Sequence, residues 1–226
     1  MIELRHVTKA YRALDRRRVV LDDVSAVFPD GRAVAVFGAN GQGKSTLIRL
    51  LAGTEAPDRG RVLHTGRTSF PLGFSGTFNA LLSGRENIRF LARLHGADTA
   101  TTLGFVEDFA ELGAYWRMPV GTYSSGMLAR LAFGACIALE FDTYLVDEVI
   151  SVGDARFRAR CLDAFAARTG HAALVLVSHD LAIARAFCDA GAVLAGGGLR
   201  MFDDIEDAIA LHEKLVRGNE RPGAVP

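Results

Sequence analysis

The run Gly38-Ala39-Asn40-Gly41-Gln42-Gly43-Lys44-Ser45 fits the pattern G-x-x-x-x-G-K-[ST]. These residue types suit one task, which is holding a polyphosphate. Glycines at 38, 41 and 43 let the backbone curl around Asn40 so that successive N–H groups point inward at anionic oxygens. Lys44 would reach the β and γ phosphates, Ser45 would offer its hydroxyl to Mg²⁺, and Thr46 can add a phosphate hydrogen bond. Lysine occurs only at 9, 44 and 214 among 26 basic residues, so its placement here is unlike background. A dinucleotide-binding G-x-G-x-x-G reading fails, because no third glycine is suitably spaced and no acidic residue closes the next strand.

Three further groups could act on a phosphate. In "TYLVDE", Asp147 and Glu148 fall at the end of an apolar strand, where open α/β sheets bind ligands. Asp147 would hold Mg²⁺ through water, and Glu148 would orient and polarise an attacking water; a solvated strand end is the alternative. His179 follows "ALVLVS" and could contact a γ-phosphate or that water, with a surface histidine as the alternative. "TYSSGM" (122–127) stands before the apolar "LARLAFGACIALE". Ser124 and Ser125 can cap a helix, while Ser124, Ser125 and Gly126 also present backbone N–H groups to an anion.

The elements that must position these groups can be read from the hydrophobic pattern. "VSAVFPDGRAVAVFG" (24–38) reads as strand, Pro-Asp-Gly turn and strand, with "AVAVF" apolar on both faces as in a buried parallel strand. "LIRLLAG" continues the phosphate loop as a helix. From about 78 to 140 the periodicity turns helical in "NALLSGRENIRFLARLHG" and "LARLAFGACIALE", without strand-like runs. Two more apolar strands follow (143–148 and 172–180), separated by the amphipathic "ARFRARCLDAFAART". A glycine-turned hairpin (192–202) and an acid-capped C-terminal helix complete the pattern. Strands alternating with helices predict an α/β fold with a mostly parallel sheet. We expect one domain over 1–226, with a helical subdomain at about 74–140 inserted in a core formed by 1–73 and 141–226.

Composition limits the function classes. Lys plus Arg and Asp plus Glu both number 26, so no global basic field argues for nucleic acid as a partner. Cys136, Cys161 and Cys188 lie far apart in apolar surroundings, which predicts buried free thiols in a reducing compartment. The first twenty residues lack the apolar stretch of a signal peptide. The run Leu131 to Leu139 falls far short of the ~20 residues that span a membrane. Any membrane passage therefore belongs to another chain.

Taken together, "GANGQGKST", "YSSGM", "LVDE" and "SHD" resemble, in order and spacing, the nucleotide-binding subunit of ATP-binding-cassette (ABC) transporters, over essentially the whole chain. The resemblance implies a P-loop core, an N-terminal antiparallel β subdomain and a helical insertion carrying the signature. It also implies ATP and Mg²⁺ as cofactors, and a head-to-tail homodimer in which Ser124, Ser125 and Gly126 face the other subunit's Lys44. "SVGD" resembles the D-loop, with Asp154 at its aspartate. Tyr11 is the candidate adenine-stacking aromatic; a packing tyrosine near a sheet edge is the alternative.

The signature departs from Leu-Ser-Gly-Gly-Gln at Ser125 and Met127. The usual Q-loop glutamine is absent, since Gln42 is the only glutamine. "LSGRENIRF", "YSSGMLARLAF" and "VDEVISVGDARFRARC" look like the branch that exports capsular polysaccharide, O-antigen or teichoic acid, the short C-terminus pointing to the capsule type. The implied partner is an integral-membrane permease, and the implied location the cytoplasmic face of the inner membrane. Another ABC exporter or an importer, a soluble non-transport ABC protein, or a small-molecule kinase are the competing expectations.

Overall fold

A computed structural model of the chain describes residues 1–13, 16–71, 78–147, 155–169 and 172–219. Hydrophobic alternation in its strands decides the layering. In β3 (Ala33–Phe37), Val34 and Val36 enter one core while Ala35 and Phe37 enter another. In β6 (Ala173–Val177), Leu174 and Leu176 alternate with Val175 and Val177 in the same way. A strand apolar at every position is stable only when both faces are covered, so these two lie inside a sheet.

That sheet has the order β5-β6-β3-β7-β8, with β5 at Thr143–Asp147, β7 at Ala190–Ala195 and β8 at Gly198–Phe202. The pairs β5·β6, β6·β3 and β3·β7 are parallel; β8 returns antiparallel through Gly196-Gly197 as a hairpin. Residues 67–69 run alongside β5: Ser69 N–H donates to the Thr143 carbonyl at 2.9 Å, and the Leu145 N–H to Ser69 Oγ at 2.9 Å.

β1 (Ile2–Ala13), β2 (Arg16–Phe28) and β4 (Arg59–His64) form a separate antiparallel sheet of order β2-β1-β4. β2 and β3 are therefore consecutive across Pro29-Asp30-Gly31 but belong to different sheets. Ile2, Leu4, Leu21 and Phe28 meet Val34, Leu145 and Val175 between the two sheets, with helix α1 (Lys44–Leu51) contributing Leu47, Ile48, Leu50 and Leu51.

The opposite face carries the remaining helices. α2 (Gly84–Leu94) starts at a capping box: Ser83 Oγ accepts from Glu86 N–H at 3.2 Å, and the Glu86 carboxylate accepts from Ser83 N–H at 2.8 Å. α3 (Thr99–Ala110) falls inside the expected helical segment, between its two runs of helical periodicity. Its threonines and Gly104 are weak helix formers, and it is fixed by the Asp98 cap onto Thr101 N–H at 2.8 Å and by packing. The Phe109 and Phe133 rings stack at 5.8 Å where α3 meets α4 (Ser125–Ala138). α5 (Ala155–Thr169), α6 (Leu181–Phe187) and α7 (Ile205–Asn219) place Phe165, Ala184 and Ala208 in the same core. Cys136, Cys161 and Cys188 are buried and free. Among the described residues no helix is long and apolar enough to cross a membrane.

Candidate functional site

Strand register gathers the candidate groups at one edge. Asp147, Val177 and Val36 stand side by side across β5, β6 and β3. The chain thus leaves the sheet at the same level into the phosphate loop, into Ser178-His179, and beyond Asp147. Carboxyl ends of parallel strands are the ligand edge of such sheets. The turn carrying His179 is fixed on both sides. Ser178 Oγ accepts from Asp180 N–H at 3.0 Å, and Asp180 caps α6 by accepting from Ala182 and Ile183 N–H. His179 itself is exposed. Glu148 and Asp154 lie outside the described residues.

The phosphate loop is held tightly from behind. A Cβ on Gly38 would lie 2.7 Å from the Leu194 carbonyl oxygen, so only glycine lets β3 turn away beside β7. Gly43 has φ +106° and offers no side chain to cap α1, which leaves the helix N-terminus without a side-chain cap. Lys44 is buried, and its Nζ donates to the carbonyls of Gly38 at 2.6 Å and Ala39 at 3.3 Å. In front lies a cleft of about 540 Å³, lined by Asn40, Gly41, Gly43, Lys44, Ser45 and Thr46 on the loop side and by Tyr11, Arg18 and Val20 on the side of β1 and β2. That volume falls within the range of small-ligand sites. The cationic lysine and a helix N-terminus make it attractive to a polyphosphate.

Tyr11 sits on β1 opposite Arg18 of β2, and its hydroxyl is committed. It donates to Glu55 Oε1 at 2.6 Å, accepts from Arg49 Nη2 at 3.0 Å, and lies 3.3 Å from Thr46 Oγ1. Glu55 is pushed upward by burial, but hydrogen bonds from Tyr11, Arg49 and Lys9 outweigh this and hold it down at about 2. The Thr46 hydroxyl also receives Arg49 Nη2 at 3.2 Å.

Sequence reasoning overlooked four residues here. Arg18 donates to the Gly41 carbonyl, bracing the loop from β2. Arg49 and Glu55 anchor Tyr11. His212 of α7 stacks on Phe37 at 5.6 Å, just before the loop, and is held below its ordinary pKa by burial and then by Lys44 and His179. None belongs to a motif. The only signal for Arg49 was its position one helical turn after Thr46.

The "TYSSGM" stretch folds as a cap. Ser124 is the N-cap of α4; its Oγ accepts from Met127 N–H at 3.2 Å, and its carbonyl from Leu128 N–H at 2.9 Å. Ser125 and Gly126 N–H have no partner among the described residues, and both serines are exposed. The approach is rigid: Tyr123 Oη donates to the Tyr115 carbonyl at 2.7 Å, and Tyr123 N–H to the Val120 carbonyl at 3.0 Å. Ser124, Ser125 and Gly126 do not line the cleft that holds Lys44.

A family model described as ABC transporter matches residues 21–151. A capsule polysaccharide export ATP-binding protein of Neisseria meningitidis serogroup B is 42% identical over 95% of this chain and 100% of its own length. A polysialic acid transport ATP-binding protein of Escherichia coli is 44% identical over 85% of this chain and 87% of its own. Among solved structures, an ATP-binding subunit of an ABC transporter matches with a TM-score of 0.79 at 23% identity, covering 96% of this chain and 98% of that one.

Proposed function

The chain belongs to the ABC transporter family and is an ATPase; we propose that it energises export of a lipid-linked capsular or other surface polysaccharide, as a head-to-tail homodimer bound to a separate membrane permease. The substrate class rests on one observation, the near full-length likeness to export ATP-binding proteins named for capsule polysaccharide and polysialic acid. The chain would then work at the cytoplasmic face of the inner membrane, held there by the permease. Exposed Leu81, Phe90 and Leu94, on and just before α2, give the helical segment of about 74–140 an apolar surface for that contact.

In this reading ATP occupies the cleft in front of the phosphate loop. Backbone N–H groups and Lys44 hold the β and γ phosphates, and Tyr11 lies against the adenine. Ser45 and Asp147 are hard oxygen donors, few in number, which suits Mg²⁺, an ion that keeps waters and substrate phosphates in its shell. Bound there, Mg²⁺ would neutralise charge on the phosphates. Water adds to the γ-phosphorus, the bond to the β–γ bridging oxygen breaks, and ADP and phosphate result. Glu148 takes the proton of that water, and His179 steadies the γ-phosphate. Ser124, Ser125 and Gly126 close on the γ-phosphate of the partner subunit, and Asp154 serves as the D-loop aspartate. The absence of Ser124 from its own subunit's cleft supports an arrangement in trans.

Glu148→Gln tests the chemistry: with ATP it should elute as a dimer and turn over little, whereas normal turnover reassigns the base. A deletion strain tests the cargo. Surface polysaccharide should vanish and return with the wild-type gene but not with Lys44→Ala. Unchanged surface polysaccharide, with the chain co-purifying with ribosomes or DNA, would replace the transport reading by a non-transport one.

A further inference from the structure

Behind the adenine side of the cleft lies a charged cluster that no motif records. Glu55 Oε1 accepts from Tyr11 Oη at 2.6 Å and lies 2.9 Å from Lys9 Nζ, while Oε2 accepts from Arg49 Nε at 2.9 Å. Lys9 and Glu55 retain only 12% and 19% of their side-chain exposure. Lys9 Nζ also donates to the Ala56 carbonyl at 2.8 Å and lies 3.6 Å from Asp58, which itself accepts from Ala10 N–H at 2.8 Å. Arg49 reaches both Tyr11 and Thr46 with Nη2. The cluster thus ties β1 to α1 and to the loop that follows α1, with Tyr11 Oη at its centre.

We infer that Glu55, with Arg49 and Lys9, is a positioning residue: it fixes the ring of Tyr11 by its hydroxyl so that the cleft selects a nucleotide carrying a base over a bare polyphosphate. The inference rests on the ATP-site reading given above. A tyrosine with a free hydroxyl spends rotamer freedom each time a base stacks on it, and fixing the ring beforehand removes that cost from binding. The hydroxyl leaves the ring little choice. Its proton is used by Glu55, and one lone pair by Arg49. Thr46 connects the same cluster to the phosphate end of the cleft. Its hydroxyl accepts from Arg49 Nη2 at 3.2 Å, which leaves its single proton for a phosphate oxygen, so the phosphate contact does not need the bond between Tyr11 and Glu55.

A simpler possibility is that the cluster only staples β1 to α1, and the two make opposite predictions for a ligand without a base. Titration calorimetry with MgATP and with magnesium tripolyphosphate separates them. Glu55→Gln should weaken MgATP about tenfold and leave tripolyphosphate within about twofold, and KM for ATP should rise far more than kcat falls. Tyr11→Phe keeps the ring and removes only the anchor, so it should show the same selective loss. The double variant should lose no more than the worse single one, because both remove one interaction. Equal losses for both ligands, no loss for MgATP, or additive losses overturn the inference. Lys44→Ala guards the underlying reading: it should abolish binding of both ligands, and retention of both would overturn the ATP site itself.

Discussion

A Cβ atom on Gly43 would lie 2.0 Å from Cγ1 of Val20, so β2 presses directly on the last glycine of the phosphate loop. Gly43 also has φ +106°, a backbone state that any side chain strains. Two independent costs therefore meet at one position. Gly43→Ala should destabilise the fold by about 2 kcal/mol or more and displace the start of α1, weakening nucleotide binding. Val20→Ala removes the clash but not the dihedral strain. In the Val20→Ala background the cost of Gly43→Ala, measured by urea unfolding, should therefore shrink without vanishing. An unchanged cost in both backgrounds would mean that β2 does not shape the loop.

The local parts of this site are legible in the sequence because each is written within a few residues. The phosphate loop needs its glycines at fixed offsets from Lys44, and α4 needs a small polar residue before an apolar run. Strand β3 announces its burial by having no polar position. The rest depends on what the fold brings together. Glu55 is 44 residues from Tyr11, and Gly43 is pressed by a strand of a different sheet. Arg18 points at Gly41 only because β1 and β2 pair in one register among several bulged ones. Apolar alternation fixes which face of a strand is inward, but not which sheet it joins, so the separation of β2 from β3 was invisible at that level.

Glu55 also makes the fold sensitive to acid in a defined direction. Its folded value of about 2 lies below the ordinary 4.5, so its ionised form binds the native state more strongly than the unfolded one. The contribution, on the order of 3 kcal/mol, is full above the unfolded value and is lost as pH falls from 4.5 toward 2. Wild type should therefore exceed Glu55→Gln in unfolding free energy by a constant margin near neutral pH. That margin should narrow below 4.5. A margin independent of pH across that window would show that Glu55 acts through shape rather than charge.

Ser124 serves as a cap and is also proposed to face a phosphate, and one substitution separates the two roles. Aspartate caps a helix as well as serine does, and its charge suits the α4 N-terminus. Ser124→Asp should therefore keep thermal stability, with the carboxylate taking over the bond to Met127 N–H. The same carboxylate would confront the partner's γ-phosphate where Ser125 and Gly126 N–H groups should have received it. Like charges at such a contact cost far more than a cap contributes. ATPase activity should fall at least about a hundredfold, with ATP binding to the monomer unchanged, because Ser124 lies outside its own subunit's cleft. Ser124→Ala gives the reverse pattern, a loss of about 1 kcal/mol in stability with much of the activity kept. Wild-type activity should also rise more steeply than linearly with protein concentration. If Ser124→Asp hydrolyses ATP normally, α4 carries a cap and nothing more, and the two nucleotide sites do not face each other through it.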